Sequence, residues 1–287
     1  GLPYTLKFSR GERDGENINW SGPYDVASGM MYECHVTADA GGYPIIGYVG
    51  PGSGSILHGF VEYGTENDGT WVKDANPKMD LGQRIWPFAV GFVNGELWVI
   101  ARDGYSINNG NAVPLRAYRW VEGIATQYYA SGFTMHTGWI MWLARGSHFE
   151  VAYYNQTFQS SRRGDYLPRY TFFDVDSLAW QSQQLLSDVP VSLATGSTYY
   201  IYCQLSLLKQ NVLRFAWAQY GTSTSPYIYY THVKYGKATG VTGTITLPFY
   251  VRYGVASLYD AQDGYPMLVV NNTDNKVYFS SGDWEYP

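Results

Sequence analysis

Apolar residues along this chain come in short runs, alternating or unbroken, each closed off by Gly, Asn, Asp or Pro. Pro44-Ile45-Ile46-Gly47-Tyr48-Val49 is one run and Glu96-Leu97-Trp98-Val99-Ile100-Ala101 another. Gly138-Trp139-Ile140-Met141-Trp142-Leu143, Val212-Leu213-Arg214-Phe215-Ala216-Trp217 and Pro266-Met267-Leu268-Val269-Val270 continue the series. Such punctuated runs are strands; a helix would need apolar positions three and four apart, capped before and closed by glycine after. Helical spacing is nearly absent, and only 177–186 admits a short helix. The pattern predicts an all-β chain.

The runs recur as units. Asp39-Ala40-Gly41-Gly42-Tyr43-Pro44 returns as Asp260-Ala261-Gln262-Asp263-Gly264-Tyr265-Pro266, in both cases a polar turn feeding an apolar strand. Phe92-Val93-Asn94-Gly95-Glu96-Leu97-Trp98 carries an Asn-Gly hairpin signal at the equivalent place. A second strand follows in each unit: Ile56–Tyr63, Pro114–Trp120, Tyr227–Val233 and Lys276–Ser281. Their alternation predicts one face packed on a neighbouring unit and the other toward solvent. A period of roughly 40–55 residues with about four strands per unit is that of propeller blades. Divided into the 287 residues, it predicts a single-domain, five-bladed β-propeller over 1–287. Tyr4-Thr5-Leu6-Lys7-Phe8-Ser9, with no turn partner nearby, is expected to close the ring by pairing with the last blade beside Trp284. The stretch 159–165 reads as an exposed loop.

Composition narrows the function class. Charged residues make up 15% of the chain and aromatics 17%, with 28 Tyr and 10 Trp. A formal net charge of −5 argues against nucleic acid, which needs clustered Lys and Arg. No apolar run reaches the ~18 residues of a membrane-spanning helix, so membrane insertion is not expected. Tyr and Trp stack on the apolar faces of sugars. With many Gly, Ser and Asn and few Lys, the composition suits a secreted glycan-binding protein, or one displayed on a virion tail. Cys34 and Cys203 belong to no CxxC or Cys/His set, so they read as buried free thiols. A disulfide between them stays open, because spacing does not show proximity. The opening Gly1-Leu2-Pro3 reads as a mature or excised chain. No cofactor is expected; a structural Ca²⁺ held by loop carboxylates and carbonyls is compatible with the sequence, but no motif calls for it.

Two stretches carry a family resemblance. Trp98-Val99-Ile100-Ala101-Arg102-Asp103-Gly104, followed by Asn109-Gly110-Asn111 and Leu115–Trp120, is one; Leu213-Arg214-Phe215-Ala216-Trp217 leading to Tyr227-Ile228-Tyr229-Tyr230 is the other. They resemble BNR-type propellers, loosely the BNR-4 group that includes ulvan lyases. The resemblance covers about a sixth of the chain and implies a polysaccharide-active propeller. Lyases of that group are generally longer and seven-bladed. The fold likeness therefore outruns the functional one.

In a propeller the first strands of all blades start on one face of a central channel, where ligands bind. His35, Trp86, His136, Tyr199, Tyr200, Tyr250 and Arg252 begin or precede such strands. His136 is the candidate general base, Tyr199 or Tyr200 the proton donor, and Arg102 or Arg252 the partner of a uronate carboxylate. These are the roles that proton abstraction beside a carboxylate requires. Trp86, Tyr105, Tyr200, Tyr250 and His35 are the candidate substrate-binding residues. Hydrolysis would instead need two carboxylates about 5–10 Å apart across a sugar. Asp39, Asp103, Asp174, Asp176 and Asp260 are available, and Asp39 and Asp260 read as turn formers. No metal-ligand spacing is present. The first expectation is a lectin-like or receptor-binding module for a polysaccharide or cell-surface glycan; the second is a polysaccharide lyase, then a glycoside hydrolase.

Overall fold

The computed structural model describes residues 4–29, 34–52, 56–73, 79–83, 85–103, 115–121, 124–129, 140–156, 166–189, 203–208, 212–218, 225–259, 266–272 and 277–281. Every regular element among them is a strand, as the short apolar runs predict. The chain clusters into two compact units, Gly1–Thr134 and Met135–Pro287.

The first unit opens with two ribbons. β1 (Tyr4–Phe8) pairs antiparallel with β4 (Tyr24–Gly29), and between them β2 (Gly11–Asp14) pairs with β3 (Asn17–Trp20). Two four-stranded meanders follow. One holds β5 (Cys34–Ala38), β6 (Pro44–Pro51), β7 (Leu57–Tyr63) and β8 (Met79–Gln83). The other holds β9 (Ile85–Val93), β10 (Glu96–Asp103), β11 (Leu115–Val121) and β12 (Ile124–Tyr129). The Asn-Gly signal is a true hairpin: Asn94 and Gly95 have φ of 54° and 77°, and Val93 pairs with Glu96.

Burial in β7 departs from the expected one-sided alternation, because nearly every residue of it, as of β6, is buried. The reason is cover on both faces. Ile45 and Val61 pack with Val90, Leu97 and Val99 of the next meander, while Ile46, Tyr48 and Phe60 pack with Val26, Trp71, Leu6 and Phe8. The β1–β4 ribbon is thus an apolar cover for the β5–β8 sheet. The partner of the N-terminal strand among the described residues is β4, and Trp284, beside which it was expected to pair, lies outside them. The connection between the two strands is itself folded into the β2–β3 hairpin, which brings their ends together. Cys34 is an exposed free thiol rather than a buried one, since it stands on β5, the edge strand of its meander.

The second unit begins with β13 (Ile140–Arg145), β14 (His148–Gln156) and β15 (Tyr166–Asp174). Both β16 (Ala179–Trp180) and β17 (Gln184–Leu185) pair with β15, so the segment that admitted a helix is extended instead. A six-stranded sheet follows: β18 (Cys203–Leu207), β19 (Leu213–Ala218), β20 (Ser225–Lys234), β21 (Lys237–Tyr259), β22 (Pro266–Asn272) and β23 (Val277–Ser281). The 23-residue β21 serves twice, pairing with β20 over its first part and with β22 from Val251 onward. Tyr170 and Leu186 of the first sheet pack with Leu205, Leu213, Phe215 and Trp217 of the second. The loop expected at 159–165 lies outside the described residues.

Two buried carboxylates brace these sheets in the same way. Glu62 on β7 accepts a hydrogen bond from the Tyr48 hydroxyl at 2.5 Å and pairs with Lys73 at 3.1 Å. Glu150 on β14, fully buried, accepts from the Tyr170 hydroxyl and from Arg145, whose Nε lies at 2.9 Å. Each tyrosine sits diagonally across the strand pair from its glutamate, opposite Phe60 and Ala152 respectively. Burial, followed by the adjacent carboxylate, pushes both phenols well above their ordinary pKa, so they remain donors. Removing one partner of such a pair leaves the other charged and desolvated. Glu150→Leu should therefore cost about 3–5 kcal/mol in chemical denaturation, and Arg145→Met with Glu150→Leu should recover most of it.

On β19 and β20, Arg214 stands opposite His232; its Nε donates to His232 Nε2 at 3.2 Å, and its guanidinium lies 5.0 Å over the Tyr230 ring. Burial, then Arg214 and Lys234, lowers the His232 pKa to about 4, so the folded imidazole is neutral. The unfolded chain takes up a proton at this residue below its ordinary pKa of about 6.5. Stability should therefore be full above pH 6.5 and fall as pH drops toward 4, by about 3 kcal/mol at most. Denaturation midpoints of wild type and His232→Gln between pH 7 and 4.5 check this: the variant should lose less stability across that range.

Candidate binding cleft

The turn between β5 and β6 is built by Asp39, as its sequence position predicts. Asp39 Oδ1 accepts from the Gly41 and Tyr43 amides at 2.8 and 2.9 Å, and Gly42 takes the left-handed conformation with φ of 83°. The loop after β7 folds back over this turn. Gly64 N–H donates to the Pro44 carbonyl at 2.9 Å, and the Asn67 side chain donates to the Gly41 carbonyl at 3.0 Å. Within the loop the Thr70 hydroxyl, then its backbone amide, hold the Asp68 carboxyl below its ordinary pKa.

A third segment, from the end of β1 to the start of β4, fastens the loop from the other side. Ser21 Oγ donates to the Gly69 carbonyl at 2.5 Å, and the Arg10 guanidinium donates to the Asn67 carbonyl. Gly69 has φ of 97°, and a Cβ there would come within 2.9 Å of Ser21 Oγ, so the close approach needs glycine. The three segments enclose a cleft of about 380 Å³. Phe8, Val36 and Pro44 supply apolar walls; Ser9, Arg10, Thr37 and Glu66 supply hydroxyls, one cation and one carboxylate. A concave site with an apolar lining and a few converging polar groups is the ordinary form of a small-ligand site. With one carboxylate in its lining, the cleft can bind and orient a polyhydroxylated ligand.

Sequence reasoning missed this site because it rests on pairings across loops. Its nearest signals were Asp14-Gly15, a hairpin dipeptide that marks the β2–β3 turn, and Asp68-Gly69 in the loop.

The expected site residues that lie on described strands of the first unit, His35, Trp86 and Arg102, fall at the opposite end of β5. β8 ends at Gln83 and β9 begins at Ile85, so the starts of β5, β7 and β9 and the end of β10 share one end of the unit. His35 is half-buried on β5, with its pKa lowered to about 4 by burial, and β5 lies against β9. Trp86 on β9 and Arg102 on β10 are register partners, and Arg102 is 4% exposed. At the same end His58 Nδ1 lies 2.9 Å from both oxygens of Asp80, a pair that strand spacing alone did not reveal. In the second unit Tyr250 and Arg252 lie on β21. Tyr105, His136, Tyr199 and Tyr200 lie outside the described residues, as does Asp260.

No protein-family model matches the chain, and no curated protein sequence does. Solved structures do. The α-L-arabinofuranosidase of Fusarium graminearum bound to an iminosugar inhibitor superposes with a TM-score of 0.54 at 8% identity, covering 97% of this chain and 86% of its own. The GH93 α-L-arabinofuranosidase of the same organism with arabinobiose gives 0.52 at 9% identity, over 88% and 80%. This chain has a propeller-like all-β fold. At such identities the likeness extends to architecture alone. A PL25 ulvan lyase aligns at 12% identity over 92% of this chain and 74% of its own, with a TM-score of 0.48, too low to bear on fold or activity.

Proposed function

We propose that this chain is an extracellular, five-bladed propeller that recognises a polysaccharide or cell-surface glycan, and that the cleft beside Arg10 and Glu66 is a binding site for it. The observation that carries this reading is the cleft's lining: apolar walls for the C–H face of a sugar ring, with a guanidinium, a carboxylate and hydroxyls for its edge. The fold supports it, since the arabinofuranosidases of like architecture were solved with an iminosugar inhibitor and with arabinobiose. Five blades are supported by the meander order: β5–β8, β9–β12, β13–β17, β18 to the first part of β21, and the second part of β21 to β23. The low charge and high aromatic content fit a lectin-like or receptor-binding role.

Among the described residues, carboxylates that brace the sheets are engaged within the frame, Glu62 with Tyr48, Glu96 with Arg119 and Glu150 with Arg145, which supports the binding reading. The second reading, a polysaccharide lyase, rests on His136 as general base with Tyr199 or Tyr200 and Arg102 or Arg252.

An array of arabinan, xylan and uronate-containing fragments, run beside a reducing-end assay and absorbance near 235 nm, tests the reading. Saturable binding without product is expected, weakened at least tenfold by Arg10→Ala or Glu66→Gln with thermal midpoints retained. Product release that His136→Ala abolishes would make the chain an enzyme; no binding to any fragment would remove the glycan reading.

A further inference from the structure

Charge is unevenly spread along the chain, and the cleft lies in its acidic part. The first 73 residues hold four Lys and Arg against nine Asp and Glu, while the rest of the chain holds fifteen of each. This opening stretch therefore carries the whole formal net charge of −5, and the described residues that line the cleft all belong to it.

Each of the four cations in the stretch is already engaged. Lys7 pairs with Asp25 at 2.5 Å, Lys73 pairs with Glu62 at 3.1 Å, and Arg13 Nε donates to the Gly15 carbonyl at 2.9 Å. Arg10, the one cation among the described lining residues, has its Nη2 3.4 Å from Glu12 Oε1 and donates through Nη1 to the Asn67 carbonyl. Arg119 shows the contrast: its Nε and Nη2 both go to the Glu96 carboxylate, in the paired fork by which an arginine clamps an acid. The two terminal nitrogens of Arg10 are instead drawn apart, one to a side chain and one to a backbone oxygen.

The carboxylates are in the opposite condition. Glu66 lines the cleft, and among the described residues no Lys or Arg pairs with it. Asp68 follows in the same loop, where the Thr70 hydroxyl and amide donate to it at 2.7 and 2.9 Å. One engaged guanidinium thus stands among Glu12, Glu66 and Asp68. A free carboxylate accepts hydrogen bonds and donates none, so it grips the hydroxyls of an uncharged sugar and repels a sugar acid.

We propose that the cleft selects its glycan by charge, preferring uncharged sugars to uronates. Glu66 is the discriminating group, and Glu12 is the positioning residue that keeps Arg10 from clamping a ligand carboxylate. The inference rests on the glycan reading of the cleft and names the class of sugar within it.

Calorimetric titration at low ionic strength tests the proposal with tetragalacturonate and its methyl ester, xylotriose with and without a glucuronic acid branch, and arabinotetraose. In each pair the uncharged member should bind the wild type about fivefold more tightly, and the gap should close in about 0.5 M salt, where separated charges are screened. Glu66→Gln should bring the ratio toward one by weakening the uncharged member while sparing the acid. Glu12→Gln should do so by strengthening the acid, with the thermal midpoint retained because an exposed ion pair contributes little to stability. A purely structural role for Glu12 would instead weaken both members alike and would overturn its assignment. An acid that binds the wild type as tightly as its uncharged counterpart, or ratios unmoved in both variants, would overturn the proposal and leave the glycan reading in place. If arabinotetraose alone binds the wild type, uronate binding must appear in Glu12→Gln, and its absence there would overturn the proposal too. Failure of every fragment to bind would remove the glycan reading and this inference together.

Discussion

Backbone carbonyls set free by a loop must find donors, and the cleft exists because two side chains from a distant segment supply them. The loop after β7 turns too sharply to pair as a strand, leaving the carbonyls of Asn67 and Gly69 without ladder partners. Arg10 and Ser21 take them up. Those bonds tie the first ribbon to the edge of the β5–β8 meander, and the space left between the tied segments is the site. Gly69 is buried, and an unpaired buried carbonyl costs about 1–3 kcal/mol, so its bond from Ser21 is held by necessity as much as by attraction. The same tie sets the position of the β2–β3 hairpin, since Arg10 and Ser21 are its two ends.

A second constraint acts on the sheets. Strands covered on both faces have nowhere to place a charge except inside, and this chain places a glutamate there in each unit. Glu62 and Glu150 are tolerable because a tyrosine on the adjacent strand and a cation at the margin meet their oxygens. Charges so engaged specify strand register, because a slip of one residue would strand the glutamate away from both partners. They are therefore part of the frame, which leaves ligand chemistry to the less buried ends of the strands.

Much of the frame was legible in local pattern. The runs at Pro44–Val49, Glu96–Ala101 and Pro266–Val270 are strands at nearly the expected bounds, and the Asn94-Gly95 and Asp39 turns form as their chemistry requires. What local pattern could not reveal was pairing across sequence. β1 carries a strand signature but no mark of its partner, which among the described residues is β4. Double cover of β7 depends on that ribbon and is invisible in β7 itself. The cleft was illegible for the same reason, since Phe8, Val36 and Glu66 are ordinary residues until loop pairing brings them together. Of the expected channel residues, Trp86 and Arg102 do meet as register partners, because both lie on strands whose hairpin the sequence announces.

The most direct test of the account is amide hydrogen exchange with and without a saturating arabino- or galacturono-hexasaccharide. The account predicts slowed exchange in three separated segments, Ser9–Arg10, Val36–Ala38 and Glu66–Gly69, with no comparable change around His58 or along β21. Protection confined to the strand-start end, or to segments outside these three, would contradict it.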